Sequence, residues 1–194
     1  MTSLVVPAAS RFSPGPFSIV TTSDRATRAP AWKSLLNWPR FGDAHVDYTA
    51  DTAKQRNLWA ARLDEAVRRA DKPVLLIASG ESCVAAAWWA RLSPADYVSK
   101  VAGALLFAPR GPHGEDLFAS PRAPLPFPSA VLERHTTRRA LAFAESWGSG
   151  LLEDGWQAED EGSAWQQAQT ALIRLTARVV ERDMRIARAF DIVA

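Results

Sequence analysis

Cysteine is almost missing from this chain. Cys83 is the one thiol in 194 residues, so no internal disulfide can staple the fold. Histidine is nearly as scarce, at three residues, His45, His113 and His135. No Cys/His cluster with ligand spacing can be drawn from this set, and neither a metal nor a cofactor is expected. Phosphate loops and dinucleotide glycine patterns are also missing. No apolar run approaches the length needed to span a bilayer. Met1–Ser10 lacks the basic start and long apolar core of a signal peptide, so the expected compartment is the cytoplasm, with no membrane partner. Charge of one sign is lacking too. Lys and Arg number 23 against 21 Asp and Glu, and a net charge of +2 is too small to argue for nucleic acid. Repeats and low-complexity tracts are absent.

What is present is ordinary globular sequence, 47% hydrophobic and 23% charged. The length suits a single α/β domain over residues 1–194, with a sizeable core. Strands and helices are predicted to alternate. Phe17–Thr22 reads as the first strand, followed by a short amphipathic segment at Ala31–Trp38. His45–Tyr48 reads as an edge strand. Gln55–Ala70 has apolar residues at Leu58, Ala61 or Leu63, and Val67, near helical spacing, with Arg62, Glu65, Arg68 and Arg69 as its solvated face. Val74–Ala78 is a continuous apolar run, as a strand buried on both sides requires. Cys83–Leu92 reads as the next helix, and Ala104–Ala108 and Ser129–Leu132 as the next strands. Arg138–Trp147 reads as a helix closed by Gly148. Gly150–Glu153 reads as a last short strand. Such alternation argues for a mostly parallel sheet with helices on both faces. Arg110–Pro128, with prolines at 112, 121, 124, 126 and 128, is either a roof over a pocket at the carboxyl ends of the strands or a plain surface excursion.

The segment that carries chemistry is Pro73–Ala90, PVLLIASGESCVAAAWWA: an apolar run, a tight turn of small residues, then an Ala-rich helix. A nucleophile elbow has this layout, lifting its central residue above a sheet on a sharp strand-to-helix turn. The turn is crowded, so the residues two before and two after its centre must be small. Ala78-Ser79-Gly80-Glu81-Ser82 satisfies that rule and puts Gly80 at the centre. Centring on Ser82 places β-branched Val84 at a tight position. Centring on Ser79 places Ile77 and Glu81 there. On the turn alone, an ordinary βα connection explains the segment equally well. Cys83 reads as a small apolar residue at the start of the helix, with a thiol activated by the helix N-terminus as the alternative.

Together with Asn57–Val67 (NLWAARLDEAV), Gly103–Pro109 (GALLFAP), Pro124–Leu132 (PLPFPSAVL) and Leu141–Leu151 (LAFAESWGSGL), this segment resembles the small serine hydrolases of the retinoblastoma-binding-protein-nine and YdeN type. The resemblance covers roughly residues 32 to 165. It implies an α/β-hydrolase-like three-layer sandwich. The family elbow looks like V-A-H-S-L-G-C followed by an Ala-rich helix. Aligned on the shared cysteine, Ser79 falls on the family His, Gly80 on its nucleophilic Ser, Glu81 on the Leu, Ser82 on the Gly and Cys83 on the Cys. The other triad positions also differ. The family histidine lies in a G-H-I-N stretch followed by a later Trp; here Trp156 stands at the histidine position and Trp165 matches the later Trp. The family acid is an Asp beyond a strand that begins P-S. Here that stretch is Glu133-Arg134-His135-Thr136-Thr137, in which Glu133 is the substitute acid and His135 a candidate base. Surface histidines without a role are the alternative for His45, His113 and His135.

A serine hydroxyl needs a base within reach to become nucleophilic, and an indole N–H cannot accept a proton. The resemblance therefore implies a bacterial-type pseudoenzyme with no catalytic residue. Ser79, Gly80, Glu81, Ser82, Glu133, His135 and Trp156 are its degenerate pocket positions. A binding or regulatory role toward a small molecule or protein is expected. Gly80 leaves room that Trp156 would fill, unless that indole is exposed on its acidic loop, and Gly80→Ser is expected to be tolerated with a modest loss of stability. One rival reading is an active carboxylesterase-type hydrolase using Ser82 or Ser79. Another is a structural or dimerisation module. The tail bears on the last: 164–190 reads as a long helix with Trp165, Ala168, Leu172, Leu175 and Val179 on one stripe. Its first half is expected on the sheet. Its second half is either a pairing surface for a homodimer or a frayed terminus.

Overall fold

A computed structural model describes residues 17–24, 42–111, 118–119, 123–133 and 135–152. Among the described residues, six strands form one parallel sheet: β1 Ser18–Asp24, β2 Ala44–Tyr48, β3 Val74–Ser79, β4 Val101–Phe107, β5 Ser129–Leu132 and β6 Gly150–Leu152. Their order is β2-β1-β3-β4-β5-β6, which makes His45 an edge-strand residue. The described helices are α1 Ala53–Arg69, α2 Glu81–Leu92, α3 Ala95–Val98 and α4 Arg138–Trp147. This is an α/β-hydrolase-like fold. Among the described residues, no helix is long and apolar enough to cross a membrane.

Central strands of a parallel sheet lose both faces to the interior, which is why β3 and β4 read as unbroken apolar runs. Val20, Leu76, Ala78, Ala104, Leu106 and Val131 share one apolar cluster with all the longer helices. The opposite face, with Leu75, Ile77, Leu105 and Phe107, is equally out of water. α1 begins at a capping box. The Thr52 hydroxyl accepts from the Gln55 N–H, and Gln55 Oε1 accepts from the Thr52 N–H at 3.1 Å. Its buried stripe is Trp59, Leu63 and Val67, each one turn from the next. Leu58, expected on that stripe, is 54% exposed. The larger indole takes the inward place, and its Nε1 donates to Thr22 Oγ1 at 3.3 Å. α4 ends where expected, on Gly148 in the left-handed region (φ 64, ψ 26).

Three boundaries differ from expectation in ways that matter for the site. β1 runs two residues past Thr22, to Asp24. β3 includes Ser79. α2 starts at Glu81 rather than at Cys83, directly after Gly80. The segments 31–38 and 164–190, and with them the proposed pairing surface, lie outside the described residues, as do His113 and Trp156.

Candidate functional site

The parallel strands β1, β3 and β4 end side by side, and the turn from β3 into α2 stands between the other two. Gly80 is the tip of that turn, with φ 69 and ψ −132. A side chain rarely tolerates this backbone, and glycine does so without steric cost. Two backbone bonds fix the tip to the end of β4. The Gly80 N–H donates to Phe107 O at 3.0 Å, and the Arg110 N–H donates to Gly80 O at 3.2 Å. Between them the chain reverses through Ala108, whose φ of 44 is positive without glycine's licence. Such a backbone costs on the order of 1–3 kcal/mol and persists only where its surroundings hold it. Here the Ala108 N–H is tied to Leu132 O at 2.8 Å, and Pro109 follows. The strained turn brings Arg110 back over Gly80.

Asp24 approaches the same tip from β1. Its Oδ2 accepts from the Glu81 N–H at 2.6 Å. The Arg110 Nη2 lies 3.0 Å from each carboxylate oxygen. Asp24 is 6% exposed, so this is a buried charge held by a guanidinium and the first N–H of a helix. The ring closes on itself: Gly80 C=O to Arg110 N–H, Arg110 guanidinium to Asp24, Asp24 to Glu81 N–H. Glycine is required inside it. A Cβ on residue 80 would collide with Asp24 Oδ2 and lie 2.8 Å from Arg110 Nη2. The space directly beside Gly80, expected to be open to a serine side chain, is taken by the Asp24 carboxylate.

The two serines face inward. Ser82 lies in the first turn of α2 and is fully buried. Its Oγ lies 2.9 Å from Ser79 O and 3.0 Å from Thr22 O, and it accepts from the Ser79 N–H at 3.1 Å. Its single proton is thus shared between two carbonyls, and it stitches α2 to the ends of β1 and β3. Ser79 is 1% exposed at the end of β3. Cys83 is fully buried with Sγ 3.5 Å from Phe107 O. Burial pushes its thiol well above the ordinary range, and the negative charges of Asp24 and Glu133 push the same way. An activated thiolate is not what this environment makes.

Glu133 follows β5, at the same end of the sheet, and is half-buried. Desolvation raises its pKa, against the attraction of Arg139. His135 is exposed two residues further on. His45 lies away from the elbow on β2, with Nδ1 2.8 Å from Thr21 Oγ1 and Nε2 3.0 Å from Asp47 Oδ1. The structure thus brings Ser79, Gly80, Glu81 and Ser82 into one turn and adds Asp24 and Arg110, which the sequence reading did not single out.

A side-wall of aromatic groups stands nearby. Tyr48 packs edge-on against Trp59 at 5.3 Å, Phe118 lies 6.0 Å from Tyr48 and 6.4 Å from Trp88, and the Arg56 guanidinium sits 4.2 Å over the Trp88 ring. The Tyr48 phenol is raised far above its ordinary value, first by burial and then by the charge of Glu81.

Comparison with known proteins agrees with this fold. A family model described as serine hydrolase matches residues 25–173. No curated protein matches the chain. Among solved structures, a protein described as a YdeN-like hydrolase from Pectobacterium atrosepticum superposes with a TM-score of 0.58 at 20% identity, over 83% of this chain and 91% of that one. At that identity the likeness speaks for the fold. The family model spans well over half of the sequence, and this chain belongs to the serine hydrolase family.

Proposed function

We propose that this member of the family carries no serine-hydrolase chemistry and acts by binding, in a regulatory or scaffolding role. One observation carries the reading: where the side chain of an elbow nucleophile would begin, there is a glycine, and the carboxylate of Asp24 stands in its place. Covalent acyl transfer needs three things at this point: a nucleophilic atom, a base to take its proton, and free N–H donors for the oxyanion. In the elbow geometry, one of those donors is the N–H after the nucleophile. Here that N–H belongs to Glu81 and is bonded to Asp24. The described serines nearest the tip are buried, and the partners of Ser82 are backbone groups. Trp156, which the resemblance aligns with the family base, can donate a proton but cannot accept one.

The test is a fluorophosphonate probe, which reacts with activated serines. The purified full chain should label no more than its heat-denatured control. Stoichiometric labelling mapped to Ser82 or Ser79 would overturn the proposal in favour of an active carboxylesterase-type enzyme.

A further inference from the structure

The ion pair at Gly80 has a further consequence. We infer that Asp24 is a built-in anion that occupies the elbow's own anion site, an autoinhibitory contact made by the first strand. This deepens the proposed loss of chemistry and rests on the same turn, but it makes a separate claim: the site's affinity for negative charge survives, and the chain itself satisfies it.

Several observations converge. The Glu81 N–H opens a helix of 12 residues, where the backbone dipoles favour an anion. A cation from a different strand connection, Arg110, reaches the same carboxylate on both oxygens. The carboxylate comes from a third element, β1, and is more than nine-tenths buried at that point. Its Oδ2 coincides with the place a residue-80 side chain would need. The strained Ala108 backbone is what returns Arg110 to the elbow. The coincidence at residue 80 ties the ion pair to the tip of the elbow. The occupant's chemistry defines what the site accepts: a small monocarboxylate, with one oxygen on the Glu81 N–H and the group as a whole on the Arg110 guanidinium. In the native protein no such ligand can enter without displacing Asp24.

Acetate is the probe. In Asp24→Ala, the backbone amide resonance of Glu81 should shift saturably with millimolar acetate, and the thermal midpoint should rise with acetate but not with chloride at equal ionic strength. The wild-type protein and Asp24→Asn, whose side chain still fills the space, should show neither response. An equal shift in wild-type protein would overturn the inference, because the site would then be open. So would a folded Asp24→Ala that ignores acetate. If Asp24→Ala folds only when acetate or formate is supplied, the inference stands; if neither restores it, the inference falls. Labelling of the wild-type chain by a fluorophosphonate would sink the proposed loss of chemistry and leave this result untouched.

Discussion

Gly80 and Gly148 have nearly the same φ, 69 and 64, and stand for opposite things. Gly148 closes α4 in the left-handed region with ψ 26, its N–H bonded back to the last turn. Any helix can end this way, and what a side chain there would meet is Pro124, with its Cβ 2.9 Å away. Gly80 opens a helix with ψ −132, and what a side chain there would meet is a charged pair. Glycine at a helix end is thus read by its neighbours rather than by its φ. Apolar or backbone neighbours indicate chain reversal. A buried carboxylate and a guanidinium indicate a site.

That contrast is sharpest under substitution. Gly80→Ser forces the hydroxymethyl group into the space of Asp24 Oδ2 on a backbone that L residues avoid. The strain costs on the order of 1–3 kcal/mol, and unseating the carboxylate adds on the order of 1–3 kcal/mol, at the lower end because the Arg110 side chain is 41% exposed. Urea titration should show a loss on the order of 3 kcal/mol. Adding Asp24→Gly should cost less in the Gly80→Ser background than in the wild type, because there the carboxylate is already unseated and its removal relieves the collision. Strict additivity of the two changes would show that the carboxylate is not seated at the elbow tip.

Much of the elbow was legible in the sequence, and the reason is crowding. Small residues at 78 and 82 leave Gly80 as the sterically permitted centre, and a continuous apolar run before it marks a central strand. The helix Arg138–Trp147 was legible for a similar local reason, a glycine just past its last apolar residue. Asp24 was not legible. Thr22, Ser23 and Asp24 extend an apolar strand with polar residues, and a pattern-based reading stops at the first of them. In the fold all three are buried, and polar groups there find partners on both sides: Thr22 Oγ1 donates to Val46 O on β2 at 2.7 Å, and Thr22 O accepts from the Ser82 hydroxyl at the elbow at 3.0 Å. The usable signal was position, a buried-type strand ending in an acid at the end of the sheet where α/β folds place their ligands. Arg110 lacked even that. Its role depends on the turn at Ala108, and no local pattern announces a positive φ at alanine. The inward face of α1 was not legible for a plainer reason: Leu58 and Trp59 are adjacent, and only the packing decides which of them turns inward.

Gly148→Ala provides the smaller half of the comparison. Its left-handed backbone costs a residue with a Cβ about 1–2 kcal/mol, and the added Cβ would come 2.9 Å from Pro124 Cβ, a ring carbon that cannot swing aside, so the local backbone must shift slightly. A loss of about 2 kcal/mol by urea titration is expected, with no effect on the Glu81 amide resonance. A loss equal to that of Gly80→Ser would mean that backbone strain alone sets both values and that the ion pair adds nothing at the elbow.

The smallest effect is expected at Glu133, which shares the strand-end region with Asp24 but has the opposite surroundings. Asp24 is buried beside a guanidinium and a helix N–H. Glu133 is half-buried, and desolvation outweighs the pull of Arg139, so its pKa is raised above the ordinary value of 4.5. The folded protein then holds this proton more tightly than the unfolded chain does. Stability from this group is therefore fully present below the unfolded pKa and is lost as pH rises through the raised, folded one. At pH 7 the ionised carboxylate is a burden. Glu133→Gln, which has no charge to desolvate, should raise the urea midpoint slightly at pH 7 and leave it unchanged at pH 4. The exposed half of the side chain keeps the gain within a few tenths of a kcal/mol. A midpoint lower at pH 7 in the variant would show that Glu133 is held by a favourable partner, as a working acid beside a base would be, and would put it back among the candidates for chemistry.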